Sequence, residues 1–413
     1  MPGDVLNIWI DGRVVATLQR ARSDIRLQYE PDEQQRSGDG SIVLSTSLPV
    51  RSQPYDGDVV GYWLEGVLPE GEARTVLESL YDVRRGDAFG LLRRIGRECA
   101  GAVAFLPEGR EPAPPGRPKP ITDDELAEAI TNLPAHPLGD TAESGISLGG
   151  LQSKLLVCKT PDGWALPANG APSTHIMKPA PAQHLGLARA EAYAMNLAAA
   201  AGLSAAAVDL LVVDGRDVLV VERFDRELVD GVTRRLHQED ACQALGRDPR
   251  DRRKYQQATG GPSYGAIAKL LSAHAVDVDR ELRALTEAMT FTCAIGNTDA
   301  HGKNHGFLIA DGTLSLAPIY DAAPTESFVA GRNLAMYVGA QTRIDRVNRI
   351  QLALEAHSWG LPKSSVTDLI DETLNRIRDA LGNVATDDVP REVVEDVAQY
   401  HQRLAESRVL QRG

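Results

Sequence analysis

Residues 297–308 read Asn-Thr-Asp-Ala-His-Gly-Lys-Asn-His-Gly-Phe-Leu, and Asp321 closes a short run, Leu-Ala-Pro-Ile-Tyr-Asp. Asp299 and Asn304 stand five residues apart, and the second carboxylate follows an apolar stretch. This set suits phosphoryl transfer. That reaction needs little covalent help; it needs an oriented hydroxyl and hard oxygen ligands that hold Mg²⁺ against the phosphates. Asp299 would orient the hydroxyl, and Asn304 and Asp321 would supply the oxygens.

Protein kinases space a catalytic Asp and a magnesium-binding Asn in the same way, and add a second Asp further on. Such an enzyme also needs a lysine near the nucleotide phosphates, held on a strand. Lys178 ends the β-rich run His175-Ile-Met-Lys178, although a strand-end lysine is equally a solvated surface charge. Glu191 lies in the next helical segment, where it could pair with Lys178 or simply face solvent. The run Ser144-Gly-Ile-Ser-Leu-Gly-Gly-Leu-Gln-Ser-Lys154 could bring backbone N–H groups to phosphates. It matches neither G-x-x-x-x-G-K-[ST] nor G-x-G-x-x-G, so an ordinary mobile loop stays open. Glu222-Arg-Phe-Asp225 follows a strand-like run where a hinge between two lobes would lie, and a hinge backbone can bind adenine; Phe224 could equally belong to the core.

The same segment permits a metal reading. His301 and His305 are four apart, the spacing that puts two ligands on one helix face, with Asp299 nearby. Gly302, Asn304 and Gly306 are poor helix residues, and no H-E-x-x-H occurs. A polar loop without chemistry is the remaining alternative.

The elements that must position these groups can be read in outline. The chain has 413 residues, enough for about two or three domains. At 43% hydrophobic and 24% charged it can bury a sizeable core. Its net charge of −13 disfavours direct binding to DNA, and its 5% aromatic content disfavours a stacking platform for single strands. Cys99, Cys158, Cys242 and Cys293 are scattered and read as buried free thiols of a reducing compartment. No charge-free 18-residue apolar run occurs, the Ala-rich 192–202 being too short, so the expectation is a cytoplasmic protein without a membrane span.

The first hundred residues read as a small α+β unit. Val5–Ile10 and Val14–Leu18 flank Asp11-Gly12, a two-residue hairpin signal. Ile42–Ser47 is a further expected strand, and Glu70–Tyr81 and Ala88–Arg94 are expected helices. Six prolines with Gly109 and Gly116 mark residues 107–120 as a linker. Thr122 and Glu125 then form a capping-box pattern. Lys154–Lys159, His175–Lys178, Leu210–Val213 and Val218–Val221 are strand-like, with a turn at Asp214-Gly215. Leu187–Ala201 reads as a helix stopped by Gly202. From Gln238 onward the pattern is largely helical, with Val366, Leu369, Ile370, Ile377 and Leu381 on one face and Ser364 or Ser365 as the cap. A hairpin about Asp311-Gly312 interrupts it. The expected division is 1–106, 107–120 as linker, 121–225 as a small lobe and 226–413 as a helical lobe.

Taken together, Thr298–Asn304, Ile319-Tyr-Asp321, Thr174–Lys178, Glu222-Arg-Phe-Asp-Arg226 and Gln238–Gly246 resemble the HipA family, serine/threonine-kinase toxins of bacterial toxin–antitoxin modules. Leu68-Pro-Glu-Gly71 resembles the N-terminal domain of that family. The resemblance implies an α+β, two-lobed, protein-kinase-like fold with an added N-terminal α+β subdomain and a mainly helical C-terminal lobe. It implies Asp299 as catalytic base, Asn304 and Asp321 as Mg²⁺ ligands, and Lys178 and Lys154 at the phosphates of ATP. Glu222, Phe224, Gln238 and Tyr320 would surround the nucleotide, with His301 and Lys303 also in its site. Ser147 matches the autophosphorylated serine of the family. The implied partners are a helix-turn-helix antitoxin of HipB type, operator DNA mainly through that antitoxin, and a protein substrate such as an aminoacyl-tRNA synthetase. Gly302 replaces the usual Ala and should loosen its loop. Ser153 stands where Pro is frequent, and Ala322-Ala323 follow Asp321, so protein-kinase switching through a Phe-Gly pair is not implied.

The sequence therefore supports an ATP- and Mg²⁺-dependent protein kinase. A catalytically weak kinase fold serving as co-repressor subunit, and a metal-dependent hydrolase built on His301 and His305, are the alternatives.

Overall fold

The computed structural model describes residues 4–21, 24–114, 116–138, 147–150, 152–168, 170–257, 261–329 and 331–407. The chain begins with β1 (Val5–Ile10) and β2 (Arg13–Ala21), paired antiparallel. Asp11 and Gly12 both have positive φ, 48° and 74°, which gives the connection the twist of its flanking strands. β3 (Asp24–Tyr29) joins β2, and β4 (Ala104–Pro107) returns to β1, for an order β3-β2-β1-β4. Alternation along β1 sends Leu6, Ile8 and Ile10 inward. They meet Trp63, Leu64, Leu77, Phe89 and Leu92 from helices Asp58–Val67, Gly71–Leu80 and Ala88–Ile95.

Ile42–Ser47 is not a strand. Its consecutive hydroxyls bind the large lobe instead. Ser47 Oγ donates to the Gln243 carbonyl at 2.7 Å, and Thr46 Oγ1 to the Ala244 carbonyl at 2.8 Å. Donors that close the open carbonyls of a short helix outcompete a ladder with no partner strand.

The Pro-rich linker ends as an edge strand. Lys119–Pro120 (β5) pairs with Leu166 and Ala165 of β7 (Gly163–Leu166), a sheet edge being where proline's missing N–H costs nothing. β6 (Leu155–Thr160), β8 (His175–Pro179), β9 (Val208–Val213) and β10 (Arg216–Glu222) complete the order β5-β7-β6-β8-β10-β9. Both bonds of the Thr122–Glu125 capping box form at the start of helix Asp123–Asn132. Leu126 and Ile130 of that helix pack on Leu155, Val157, Met177, Val218 and Val220. Helix Leu187–Ala200 covers the opposite face and stops at Gly202, with φ +70°. Period-two alternation therefore gives Met177 to one helix and its neighbour Lys178 to the other.

In the large lobe, helices Tyr264–His274, Arg349–His357, Lys363–Leu381 and Arg391–Ala405 gather around Val278–Ala294, which buries Leu285, Met289, Phe291 and Cys293. Val366, Leu369, Ile370 and Ile377 form the buried face of Lys363–Leu381. That helix begins behind extended Pro362, so neither Ser364 nor Ser365 caps it; Ser365 Oγ accepts from Arg283 Nη1 at 3.0 Å. The stretch after Gln238 is less helical than expected. His237–Asp240 pairs with Gly306–Ala310, which pairs with Thr313–Leu316 across Asp311-Gly312. A further hairpin, Arg226–Val229 with Val232–Arg235, turns at Asp230-Gly231. All four cysteines are buried and free. Among the described residues no helix is long and apolar enough to cross a membrane.

Candidate phosphoryl-transfer site

A cleft of about 320 Å³ opens where the small-lobe sheet, the large lobe and the N-terminal unit meet. Twelve of the sequence-derived site residues line it, and Ser147 stands immediately behind its Leu148–Gly150 wall.

Lys178 ends β8, and its ammonium lies 2.8 Å from Glu191 Oε1 and 2.5 Å from Asp321 Oδ1. Burial works against the charged lysine, but the two carboxylates more than offset it and hold its pKa above the ordinary value. Asp321 is held well below the usual carboxylate range, chiefly by Lys178. Glu191 is pushed up, because its burial outweighs its lysine. Asp321 has φ +56°, a conformation that aspartate tolerates better than most residues. Its side chain is 43% exposed, which leaves carboxylate oxygen facing the cleft.

The segment with Asp299 and Asn304 leaves the end of Val278–Ala294. Gly296, at φ +73°, makes the exit; a Cβ there would come within 2.9 Å of the Tyr400 ring. The Asp299 N–H donates to Asn297 Oδ1 at 3.0 Å, and Asn304 Nδ2 donates to the Asp299 carbonyl at 3.2 Å. Tyr255 Oη donates to Asp299 Oδ1 at 2.6 Å. Burial raises the pKa of Asp299, and the Tyr255 bond opposes it.

Gly302 does not loosen this loop. Residues Gly302–Asn304 form a single 3₁₀ turn, and a Cβ on Gly302 would lie 2.4 Å from Pro262 Cγ and 2.9 Å from Cys242 Sγ. The turn is packed where only hydrogen fits without movement. It also ends the helical-face reading of His301 and His305. His305 Nδ1 lies 3.2 Å from the His301 carbonyl, and the two rings stand edge-on to Tyr264 and Tyr255. Burial drives both imidazoles toward the neutral form, to about 3 for His301 and about 4 for His305. Among the described residues no group of three His, Cys, Asp or Glu is arranged to hold a metal.

Lys303 lines the cleft, but its charge is engaged by the protein. Its ammonium lies 3.2 Å from Glu70 Oε1, 3.6 Å from Asp240 Oδ2 and 3.3 Å from the Gly66 carbonyl. The Gly66 carbonyl accepts from it, and the two carboxylates pair with its charge. Lys154 differs. Its ammonium donates to the Gly149 carbonyl at 2.5 Å, and burial and then nearby Lys178 push its pKa down to about 8.

Phe224 follows β10, and its ring lies 5.3 Å from that of Tyr320, centroid to centroid, with an interplanar angle of 31°. Tyr320 Oη donates to the Lys303 carbonyl at 2.7 Å. Glu222 is exposed at the strand end, its N–H donating to the Ala207 carbonyl at 2.9 Å. Gln238 faces Leu308 across the neighbouring strand pair.

Ser147 is fully buried. Its N–H donates to the Glu98 carbonyl at 2.7 Å and its hydroxyl to the Val67 carbonyl at 2.9 Å. Ser144 and Gly145 lie outside the described residues.

The donor set fits Mg-ATP. Two amide or carboxylate oxygen carriers, Asn304 and Asp321, share the cleft with Lys154 and Lys178. Among the described residues, buried Lys154 has no carboxylate within ion-pair distance, and the buried His301 Nδ1 has no hydrogen-bond partner. An anion would answer the first, and a ligand acceptor or donor the second.

Sequence reasoning missed five contributors. Tyr255 carried no signal. Glu70 lies within Leu68-Pro-Glu-Gly71, noticed only as a motif, and it also binds Lys254 at 3.0 Å. Arg223, Asp225 and Arg226 bracket Phe224 and bind residues 98–101 of the N-terminal unit; Gly101 N–H donates to Asp225 Oδ2 at 2.7 Å and Arg226 Nη2 lies 3.3 Å from Glu98 Oε1.

A two-lobed α+β kinase-like architecture with this added N-terminal unit defines the class. The family model for the HipA-like C-terminal domain matches residues 146–381, and that for the HipA N-terminal domain matches residues 6–106. The chain belongs to the HipA family. It is 35% identical over 394 residues to the putative kinase Y4mE of Sinorhizobium fredii, covering 90% of this chain and 91% of the relative. It is 29% identical over 370 residues to the serine/threonine-protein kinase toxin HipA of Shewanella oneidensis, covering 87% and 83%. The fold matches the Shewanella oneidensis HipA solved with HipB and operator DNA: TM-score 0.81, 26% identity, 97% of this chain and 96% of that one.

Proposed function

We propose that this chain is an ATP- and Mg²⁺-dependent protein serine/threonine kinase and the toxin of a toxin–antitoxin module. The observation that supports the reading is one cleft lined by Lys178, paired with Asp321, and by Asp299 and Asn304. In this reading Asp299 orients the acceptor hydroxyl and takes its proton. Asn304 and Asp321 would hold Mg²⁺, and Lys154 and Lys178 the phosphates. Phe224 and Tyr320 would line the base, with Glu222 and Gln238 at its edge and His301 beside the phosphates. Bound Mg-ATP supplies the phosphoryl group and neutralises its charge. The protein's work is positioning and exclusion of water.

The domains in this reading are the N-terminal unit 1–106, the linker 107–120, the ATP-binding lobe 121–225 and the catalytic lobe 226–413. The Shewanella relative is a named kinase toxin and was solved with HipB and operator DNA. By that likeness the partner here is a helix-turn-helix antitoxin of HipB type. The net charge of −13 supports operator contact mainly through the antitoxin. The substrate class is a cytoplasmic translation protein, such as an aminoacyl-tRNA synthetase, and Ser147 is the site of autophosphorylation.

Intact mass after incubation with Mg-ATP tests the reading. A gain of one phosphate, absent from Asp299→Asn, is expected. Tight ATP binding with no transfer to this chain or to a synthetase would leave a co-repressor subunit in its place.

A further inference from the structure

Two lysines stand next in sequence to groups of the proposed centre. Lys254 precedes Tyr255, whose hydroxyl donates to Asp299 Oδ1 at 2.6 Å. Lys303 precedes Asn304, whose amide donates to the Asp299 carbonyl at 3.2 Å. Both ammonium groups are buried, and both close on one carboxylate from the N-terminal unit. Lys254 Nζ lies 3.0 Å from Glu70 Oε2, and Lys303 Nζ lies 3.2 Å from Glu70 Oε1.

Glu70 is the residue before helix Gly71–Leu80, yet its side chain makes no cap bond to that helix. Its Oε2 accepts a hydrogen bond from Lys254, and its Oε1 lies within ion-pair distance of Lys303. Its N–H donates to the Gly150 carbonyl at 3.2 Å, so its backbone is held by the loop over the cleft. Burial alone would raise its pKa, but Lys303 and Lys254 more than offset this and hold it below the ordinary value. A carboxylate forked between two buried cations has little freedom, since releasing either leaves an uncompensated charge.

We infer that Glu70 is a positioning residue of the phosphoryl-transfer centre: by tying Lys254 to Lys303 it fixes Tyr255 and Asp299 against the Gly302–Asn304 turn. The inference rests on the kinase reading. It makes the N-terminal unit part of the catalytic arrangement, because the clamp belongs to a different core from the two segments it joins. Glu70 touches neither reacting group, so its removal leaves Lys154, Lys178 and Phe224 in place.

The test compares the full-length chain with Glu70→Gln, which keeps the shape but turns an amide toward a lysine. The readout is phosphate incorporated per molecule against Mg-ATP concentration, by intact mass. The maximal rate should fall about tenfold or more, since a shift of ~1 Å at a reacting group costs up to on the order of 10² in rate. The half-saturating ATP concentration should stay within about twofold, which separates positioning from nucleotide binding. Lys254→Gln should reproduce the loss, and the double variant should be no slower than the slower single, because the pair acts as one unit.

A maximal rate near wild type for Glu70→Gln, a half-saturating concentration that rises with the loss, or losses that multiply in the double variant overturns the inference. Should Glu70→Gln fail to fold, Lys254→Gln decides, and a wild-type rate there overturns it. An active wild type with an unaffected Glu70→Gln removes this inference alone. A wild type that transfers no phosphate under conditions that saturate ATP binding removes the kinase reading and this inference with it.

Discussion

Tyr255 Oη donates to Asp299 Oδ1 at 2.6 Å, while Asn304 Nδ2 donates to the main-chain carbonyl of the same aspartate at 3.2 Å. Asp299 is thus fixed through both its side chain and its backbone. The amide oxygen introduced by Asp299→Asn could still accept from Tyr255, so this variant should fold normally. ATP binding should hold, since the lysines and Phe224 are untouched. Phosphoryl transfer should fall on the order of 10²–10⁴-fold, the usual worth of a positioned base. Calorimetry with Mg-ATP beside phosphate incorporation checks both halves, and near-wild-type transfer would remove Asp299 from the role of base.

Asp321→Ala should behave differently. It removes an exposed carboxylate oxygen and the stronger partner of Lys178. Mg-ATP affinity should drop by about tenfold or more, and the dependence on Mg²⁺ concentration should move upward. An unchanged Mg²⁺ dependence would exclude Asp321 as a ligand.

Lys178→Ala should weaken ATP binding and also reduce stability. It leaves Glu191 buried without its cation. Breaking such a pair costs up to about 3 kcal/mol, less whatever protonation of Glu191 relieves. Adding Glu191→Gln should restore part of the denaturation midpoint without restoring ATP affinity. A lysine acting only at the surface would change neither quantity.

Phosphorylation of Ser147 should be incompatible with the docked loop. The hydroxyl is fully buried and donates to a carbonyl, whereas a phosphate carries roughly −1.5 to −2 charge at pH 7 and cannot donate in its dianionic form. A homogeneous phospho-Ser147 preparation should bind ATP much more weakly than the unmodified chain and expose residues 147–150 to protease. Ser147→Ala should never acquire the block. Equal ATP affinity of the two forms would rule out a switch.

Glu239 gives a pH dependence of stability. One oxygen accepts from Thr46 N and Oγ1 at 3.0 and 3.1 Å, and the carboxylate is otherwise enclosed, beside the Ser45 hydroxyl. Burial pushes its pKa up to about 7 from an ordinary 4.5. The folded state therefore favours the proton. Its stabilising contribution is complete below about pH 4.5, is lost as pH rises to about 7, and then levels off. The full loss is about 3 kcal/mol for this one group. Glu239→Gln should match or trail wild type at pH 4.5 and gain on it steadily up to pH 7.5, by urea denaturation at each pH. A difference independent of pH would show that Glu239 is ionised throughout.

What the sequence determined by itself was chiefly local. Asp-Gly pairs at 11–12 and 311–312, the Thr122–Glu125 box and Gly202 each specify a turn or a helix end through their own side chains, and all formed as read. The Asp299-x-x-x-x-Asn304 spacing and Asp321 stand out in the sequence as a candidate set, and the fold brings all three to one cleft. Tertiary structure decided what depends on the partner. Ile42–Ser47 has strand propensity, yet the carbonyls of Gln243 and Ala244 claim its hydroxyls. Gly302 reads as slack but is fixed by Pro262 and Cys242. Lys303 reads only as a residue of the nucleotide site, and its pairing with Glu70 and Asp240 is set by the fold. Glu70, Lys254 and Tyr255 had no visible connection to Asp299, because ion pairs and hydrogen bonds act over a few ångströms of space and are indifferent to the length of chain between the groups they join.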